Sequence, residues 1–450
     1  MKRLTLFALL FLASSLQVAK AQETISLERV LSDTKAYYPY LEKEDVLKSS
    51  LDNLEKTLWY AYIPQVSVNA NVQYQTDVPS IAISMSEPGP EDDPTLDQIM
   101  GKMIGRLQIP EIPKLQYQTY AQVTQLLWSG NRVSAGAEMI RANIAQKSAE
   151  AKAGYEKAED AVTELYFGLL MLDAQKKLQD NFLTEIARQK TKAENARSNG
   201  VATQNDLDEI ELRRLKAEQQ RDEIKESRAS ILHLIGLYTG KTYDPDQTEA
   251  EVPSEPLLDT DTDTATGSRY AAGRMTHQVL DAQVRTAKAV YDMSFADMLP
   301  SIVAFARGGY GRPGLNMFAE KGQPYFVYGL TFSWNFGNFY NLGTKKLDLE
   351  NTRALVRLQR REFEINQRAK VEKLKSEAHQ YETLIAKDEE IAALQRQISD
   401  RAALQQEAGT MTAPDRLEKL SALNAALQTR DVHKIQQLRA LYMARRALGQ

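Results

Sequence analysis

Two long stretches of the chain carry apolar residues three and four positions apart, which is the spacing of a helix with one packed face. From Thr344 to Ala408 neither proline nor glycine occurs over 65 residues. The matching stretch Asn131–Asn199 contains glycine at 136, 154 and 168 but no proline. Because proline breaks helix interiors, both stretches predict single helices roughly 100 Å long. Their apolar seam and charged remainder are typical of coiled-coil-like packing.

Shorter segments alternate between apolar and polar residues, which is the period of a β-strand. Pro64–Tyr74, Leu115–Val123 and Tyr325–Phe336 follow this pattern, and a fourth strand is predicted to follow Pro300. Their polar positions hold Gln, Asn, Ser and Thr, and their apolar positions end in Tyr and Trp. These features favour transmembrane barrel strands. A soluble sheet with one face on a core is the alternative interpretation.

The chain contains an internal duplication. A shift of 236 positions aligns residues 62–64 with 298–300 and Tyr74 with Tyr310. A shift of 209 aligns 200–210 with 409–419. The second shift matches Gly200 with Gly409, Thr203 with Thr412, Asp206 with Asp415, and Glu209 with Glu418. Each half therefore predicts helix, strand, loop, strand, very long helix, Gly-x-x-Thr turn and returning helix.

The two Gly-x-x-Thr turns have a direct mechanical interpretation. Glycine can take the left-handed conformation that ends a helix, and a threonine can cap the helix that follows. Acidic residues in the first turn of the next helix interact favourably with its dipole. Good helix caps alone would explain these residues, so a functional role has to be argued separately.

The order of these features predicts four segments. Residues 1–21 form a signal peptide, with Lys2 and Arg3 before the apolar run Leu4–Leu12 and with small residues at the cleavage site. That run is too short to cross ~30 Å of hydrocarbon. The first structural repeat spans 22–240, an acidic linker or equatorial segment spans 241–268, and the second repeat spans 269–450.

Composition argues against several classes of function. The chain has no cysteine, which excludes disulfides and thiol chemistry. Without the signal peptide it has 53 basic and 60 acidic residues, so nucleic acid is not an expected partner. The four histidines, at 233, 277, 379 and 433, have no metal-ligand spacing, and there is no P-loop or nucleophile elbow. We expect no enzymatic activity, no catalytic residue, no cofactor and no metal.

Membrane residence constrains the assembly. After the signal peptide no stretch of about 18 apolar residues occurs, so the remaining way to span a membrane is a closed β-barrel. Four strands per chain cannot close one, since the smallest membrane barrels have eight. The sequence therefore predicts an oligomer and leaves open whether it contains two or three copies.

Taken together, these features resemble the outer membrane efflux protein family, the TolC-like export ducts. The resemblance covers nearly the whole mature chain. It rests on the duplication, on the prolines that begin the strands at Pro64 and Pro300, and on the two Gly-x-x-Thr turns. It rests also on the aromatic-then-glycine strand ends at 127–130 and 334–337.

The resemblance implies a mixed α+β membrane protein that assembles as a homotrimer. Each subunit would give four transmembrane strands to one shared twelve-stranded barrel and its helices to a long antiparallel α-helical periplasmic barrel. The protein would sit in the outer membrane and extend into the periplasm. It would act as a passive conduit of a tripartite efflux pump or type I secretion system. Its partners would be outer-membrane lipid, a periplasmic membrane-fusion adaptor and, through that adaptor, an inner-membrane transporter.

The resemblance also implies roles for particular residues. A periplasmic aperture would be lined by Asp415, Glu418, Asp206 and Glu209. The tips that contact the adaptor would contain Gly200, Val201, Thr203, Gly409, Thr410 and Thr412. The membrane strands would be anchored by Pro64, Tyr74, Trp128, Pro300, Tyr310 and Trp334. Met411 departs from the pattern, because some relatives carry a basic residue there.

A soluble periplasmic coiled-coil scaffold or adaptor is the rival interpretation. It would explain the long helices and the signal peptide. It would not explain two pairs of amphipathic strands placed before two matched long helices. The loop 79–113 is expected to be extracellular because it connects paired strands, and neither its purpose nor the exported substrate follows from the sequence.

Overall fold

The structure is a computed structural model that describes residues 23–78, 99, 113–256, 274–316 and 321–449. The predicted signal peptide at 1–21 lies outside the described residues. So do nearly all of the loop 79–113 and the part of the predicted acidic segment from residue 257 onward. Within the described residues, no helix has the length and the apolar composition to cross a membrane.

Seven α-helices make up most of the described chain, and two of them are 67 and 66 residues long. They are α1 (Leu27–Tyr37), α2 (Tyr40–Trp59), α3 (Arg132–Ser198), α4 (Gln204–Thr239), α5 (Met275–Ala296), α6 (Leu342–Glu407) and α7 (Ala413–Ala447). The bounds of α3 and α6 confirm the two predicted long helices to within two residues. Short 3-10 helices occupy Tyr60–Tyr62 and Phe336–Asn341.

Six strands in the described part of the chain form two sheets. They are β1 (Glu23–Ile25), β2 (Gln65–Tyr74), β3 (Leu115–Trp128), β4 (Thr248–Ala250), β5 (Ser301–Arg312) and β6 (Gln323–Ser333). The short strands β1 and β4 pair in parallel. The other four form an antiparallel sheet in the order β2-β3-β5-β6, so that β2 and β6 are its edges. The order helix, strand, strand, long helix, returning helix occurs twice, as the duplication predicts.

The end of β6 corrects one prediction. The alternating pattern predicts a strand as far as Phe336, but β6 ends at Ser333. The Asn335 side chain accepts a hydrogen bond from Gly337 N at 3.0 Å and caps the 3-10 helix that follows. The apolar alternation of the sequence continues past the end of the strand to Trp334 and Phe336. Their rings pack against each other, with centroids 4.5 Å apart.

The described residues divide into two compact units. The first consists of those within 23–47, 145–283 and 354–449, and the second of those within 48–144 and 284–353. In the first unit, Tyr166 and Phe167 of α3 are fully buried and pack with Val30 of α1 and Ile235 of α4. Ile435 of α7 also belongs to this core, which therefore joins α1, α3, α4 and α7.

The four-stranded sheet lies in the second unit, and its register separates two faces. Val66 lies opposite Val123, Val123 opposite Ala306, and Ala306 opposite Tyr328. We call this side the apolar face. Its large exposed members are Val66, Val68, Val72, Tyr74, Leu115, Val123, Tyr310, Phe326, Tyr328, Leu330 and Phe332. The other side, the polar face, carries Gln65, Ser67, Asn69, Asn71 and Gln73 of β2 and Gln116, Gln118, Tyr120, Gln122 and Thr124 of β3. On β5 it carries Phe305 and Arg307.

Candidate functional site

The first predicted tip is a helix-ending glycine followed by a capped helix. Gly200 has a φ of 75°, and Val201 N donates to Ala196 O at 2.8 Å, which closes the end of α3. Thr203 then caps α4, because its Oγ1 accepts a hydrogen bond from Asp206 N at 3.2 Å. In return the Asp206 carboxylate accepts from Thr203 N at 2.7 Å. This reciprocal pair is a capping box.

The second tip repeats this geometry with one difference. Gly409 has a φ of 74°, and Thr410 N donates to Gln405 O at 2.9 Å. Thr412 caps α7 by accepting from Asp415 N at 3.3 Å and donating from Oγ1 to the Asp415 carboxylate at 2.7 Å. The structure gives Asp415 no bond to the backbone of Thr412, so this box is only half formed. An added Cβ at either glycine would meet nothing within 4 Å, so the positive φ is what requires glycine there.

The predicted aperture carboxylates differ in their surroundings. The hydrogen bond from the Thr203 backbone, followed by the one from its hydroxyl, lowers the pKa of Asp206 below its ordinary value. Asp415, Glu209 and Glu418 are exposed. Glu209 accepts a hydrogen bond from Asn205 at 3.1 Å, and Glu418 lies 2.9 Å from Lys419 Nζ. All four carboxylates therefore remain accessible to ions. Asp206 differs in that its carboxylate accepts hydrogen bonds from both the backbone and the hydroxyl of Thr203.

The two turns lie side by side and share one cavity. This tip groove has a volume of about 480 Å³. It is lined by Lys192, Ala193, Ala196, Val201, Ala202, Asp206, Gln406, Glu407, Gly409, Thr410, Met411, Thr412, Ala413 and Asp415. Below it Ile186, Ile210 and Leu417, contributed by α3, α4 and α7, form a buried cluster. The packing of these three helices holds the two turns in place.

Polar contacts join the helices next to the tip groove. Glu211 of α4 accepts hydrogen bonds from Arg214 and from Lys190 of α3, the latter at 3.0 Å. These two contacts, led by the one to Arg214, lower the pKa of Glu211 to about 2. Gln406 of α6 donates to Gln189 of α3 at 2.7 Å. The α3–α4 hairpin and the α6–α7 hairpin are thus bonded directly to each other.

The predicted strand anchors lie at the two ends of the sheet. Tyr74 ends β2, and Tyr310 near the end of β5 stacks on Tyr117 with ring centroids 6.4 Å apart. At the other end Pro64 and Pro300 directly precede β2 and β5, and Trp128 ends β3. Trp334 follows β6, and its indole N–H donates to Met298 O at 3.0 Å. Aromatic side chains therefore mark both ends of the strands.

The junction between strand and helix also brings the two repeats together. Gly130 has a φ of 63°, and a Cβ added there would lie 2.6 Å from the Cβ of Leu299. Glycine is required at this point both by its backbone conformation and by the close approach of the Leu299-Pro300 segment. Two of the motifs singled out in the sequence are thus in direct contact.

Comparison with known proteins gives a clear result only at the level of structure. No protein-family model matches the chain, and no curated protein sequence matches it. The outer membrane protein VceC of the bacterial pathogen Vibrio cholerae matches with a TM-score of 0.61 at 14% identity, over 94% of this chain and 96% of that one. The Campylobacter jejuni CmeC outer membrane channel matches with a TM-score of 0.63 at 12% identity, over 94% and 85%. The open state of the Neisseria gonorrhoeae MtrE outer membrane channel matches with a TM-score of 0.62 at 14% identity, over 94% and 88%.

The chain has the TolC-like fold of outer membrane efflux channels. In this outer membrane channel fold, the Gly-x-x-Thr turns are the tips of two helical hairpins. Of the predicted tip and aperture residues, the structure gathers Val201, Asp206, Gly409, Thr410, Thr412 and Asp415 around the tip groove. Gly200, Thr203, Glu209 and Glu418 lie outside its lining.

Several residues of the tip groove were not singled out as site residues in the sequence. Gln406 and Lys192 look like ordinary helix-surface residues, since nothing in their spacing marks them. Met411 was noted only because it departs from some relatives, yet it lines the groove. Its apolar side chain gives the tip groove a surface suited to packing rather than to an ion pair.

Proposed function

We propose that this chain is the subunit of an outer-membrane channel and acts as a passive conduit from the periplasm to the outside. The channel would serve a tripartite efflux pump or a type I secretion system. It would sit in the outer membrane and extend into the periplasm. Its energy would come from an inner-membrane transporter, reached through a periplasmic membrane-fusion adaptor, so that the chain needs no catalytic chemistry of its own.

The observation that carries this proposal is the exposed apolar face of the four-stranded sheet. Val68 is 74% exposed, Leu330 69% and Tyr328 77%. Burying a side chain of this size is worth about 1.5–3 kcal/mol, and soluble proteins rarely leave so many together in water. Lipid contact would account for them, while the amide-rich polar face would line an aqueous lumen.

The edges of the sheet support assembly with further copies. Unpaired strand edges are costly in lipid, where no water can satisfy their backbone groups. In the sheet, successive strands run in opposite directions from β2 to β6. The β6 edge of one copy can therefore pair antiparallel with the β2 edge of the next. We propose a homotrimer, in which three copies close a shared barrel of twelve strands.

Exposed apolar residues on the helices support the same assembly. On α4, Leu212 is 52% exposed and Leu215 is 51% exposed. On α6, Ile391, Leu394 and Ile398 are exposed at spacings of three and four. Rows of this kind are typical of a seam between neighbouring helices. We propose that in the homotrimer the α4 row of one copy packs against the α6 row of the next and so continues the helical barrel.

The tips would form the periplasmic mouth. We propose that Asp415, Glu418, Asp206 and Glu209 line its aperture, where symmetry would bring like charges together and attract cations, as acidic rings do in cation pores. The adaptor would contact Gly200, Val201, Thr203, Gly409, Thr410 and Thr412. The apolar lining that Val201 and Met411 give the tip groove supports a contact made by packing.

Planar-bilayer recording, combined with the mass of the purified protein in detergent, tests this proposal. Stable single channels from a species three times the subunit mass are expected. A water-soluble species that is released by osmotic shock and never inserts would contradict it. That outcome would favour a soluble periplasmic scaffold instead.

A further inference from the structure

The polar face of the sheet carries one charged side chain. Among the residues of β2, β3, β5 and β6, the only Asp, Glu, Lys or Arg residues are Arg307 and Arg312, both on β5. Arg307 lies opposite Gln122 on the polar face. Arg312 lies opposite Tyr117, at the end of the strand and on the apolar face. A charge within a membrane segment is costly and is commonly retained for function.

Two neighbours on β3 hold the Arg307 guanidinium in place. Gln122 Oε1 accepts hydrogen bonds from Nε at 2.9 Å and from Nη2 at 2.6 Å. The Tyr120 ring lies beneath the guanidinium, with 4.3 Å between Cζ and the ring centroid. This geometry is a cation–π contact. The side chain is therefore fixed on two sides by neutral groups.

A glycine makes room for this arrangement. Gly309 lies directly opposite Tyr120 on the same face. A Cβ at Gly309 would come within 2.6 Å of the Tyr120 Cβ and within 2.5 Å of Thr119 O. Because Gly309 has no side chain, the Tyr120 ring can lie across its position and reach Arg307. Arg307, Gln122, Tyr120 and Gly309 thus form one unit across β3 and β5, which we call the arginine clamp.

The clamp orients the charge without neutralising it. Within the part of the chain that the structure describes, no carboxylate pairs with Arg307. Of the five guanidinium N–H groups, one on Nε and one on Nη2 are used by Gln122. The three others have no partner among the described residues. A planar cation with free donors is suited to bind a carboxylate, phosphate or sulfonate group.

We propose that the arginine clamp is an oxyanion-binding station on the wall of the conduit, and that it favours the passage of solutes with an anionic group. This inference rests on the proposed function, in which the polar face lines the lumen and symmetry repeats the clamp in every copy. The repeated clamps form a ring of positive charge. The ring attracts anions and excludes cations at this level of the lumen.

Ion selectivity in planar bilayers tests the proposal. Inorganic phosphate is expected to reduce the chloride current of the wild-type channel, and the effect of Arg307 on ion selectivity is measured in a salt gradient as the difference between wild type and variant. Arg307→Gln should lower the ratio of chloride to potassium permeability at least roughly threefold, since a unit charge about 6 Å from an ion changes the local concentration of that ion by this factor even in water. It should also remove the effect of phosphate. Arg307→Lys should keep the selectivity and weaken the phosphate effect, because lysine lacks the planar fork.

Two further variants keep the test decisive. Arg312→Gln makes the same change of charge on the opposite face and should leave selectivity and phosphate block unchanged. Gln122→Glu leaves Arg307 in place but sets a carboxylate against it, so it should reproduce the Arg307→Gln result even if that variant assembles poorly.

One result would overturn the clamp proposal and leave the conduit intact. It is a wild-type channel that conducts but has the same reversal potential and phosphate response as both Arg307→Gln and Gln122→Glu. A wild-type protein that forms no channels would overturn the conduit itself, and the clamp proposal with it.

Discussion

Gln406 of α6 donates a hydrogen bond to Gln189 of α3, with 2.7 Å between Nε2 and Oε1, and so joins the two helical hairpins beside the tip groove. Gln189 is only 1% exposed, and its own amide donates to Glu185 at 3.0 Å. The acceptor oxygen of Gln189 therefore depends on Gln406, because water has little access to it.

Gln406→Leu should loosen this junction. Leaving a buried polar group unsatisfied costs about 1–3 kcal/mol, so the free energy of unfolding in detergent should fall by about that amount. If the tips form the aperture, single-channel conductance should rise as well, because the hairpins can separate. Gln405→Leu, at the exposed neighbouring position, is the matched control. Equal effects of the two variants would show that the bond does not join the hairpins.

The two helix caps should differ in strength. Replacing a threonine cap by alanine costs about 0.5–2 kcal/mol. Thr203→Ala should cost less than Thr412→Ala, since Asp206 can still accept from the backbone N–H of residue 203, whereas the bonds between Thr412 and Asp415 all go through the Thr412 hydroxyl. Denaturant unfolding of both variants measures the difference, and serine at each position should restore most of the loss. A larger loss at Thr203 would contradict this bonding.

Glu211 should contribute to the acid sensitivity of the tips. Its pKa is lowered from 4.5 to about 2, chiefly by Arg214. The folded chain therefore binds fewer protons at this site than the unfolded chain does between those values. The contribution is fully present above about pH 4.5 and is lost as the pH falls toward 2. Glu211→Gln should make the decline of stability over this range shallower in denaturant titrations. Glu226→Gln, an exposed change on the same helix, should leave this decline of stability unchanged. If stability falls equally steeply with pH in both variants, the lowered pKa of Glu211 does not contribute to the acid sensitivity.

The proposed aperture role of Asp415 can be separated from its role as a cap partner. Asp415→Asn removes the charge but keeps an oxygen that can accept from the Thr412 hydroxyl. We expect weaker block by multivalent cations and an altered conductance, because the acidic ring would lose its main attraction for cations. If conductance and cation block are both unchanged, Asp415 is only the hydrogen-bond partner of the Thr412 cap and has no role in the aperture.

Much of the fold could be predicted because it depends on local chemistry. The long helices follow from runs without proline, and their observed ends at Ser198 and Glu407 lie within one residue of the predicted limits. The turns follow from glycines that need a positive φ and from threonines that cap. The alternation in β2 correctly identified the side of the strand that carries the apolar residues.

Other features depend on contacts between distant segments and could not be predicted in this way. The Asn335 cap ends β6 early, although the apolar alternation continues to Phe336. The bond between Gln406 and Gln189 joins residues 217 positions apart. The arginine clamp depends on the β3–β5 register, which sets Arg307 opposite Gln122. The alternation fixes only the face that each residue occupies, so registers two residues apart remain possible, and β3 and β5 are not joined by a turn that would choose between them.

The most direct test of the account is to measure which side of β2 meets lipid. The chain contains no cysteine, so single cysteines can be placed at each position from 66 to 72 and spin-labelled in the reconstituted protein. Collision rates with oxygen, which concentrates in lipid, and with a water-soluble nickel chelate can then be compared. If the apolar side of β2 meets lipid, the collision rates should follow a period of two, with oxygen favoured at Val66, Val68, Ala70 and Val72 and nickel favoured at Ser67, Asn69 and Asn71. Equal nickel access on both faces would contradict a membrane location for the sheet.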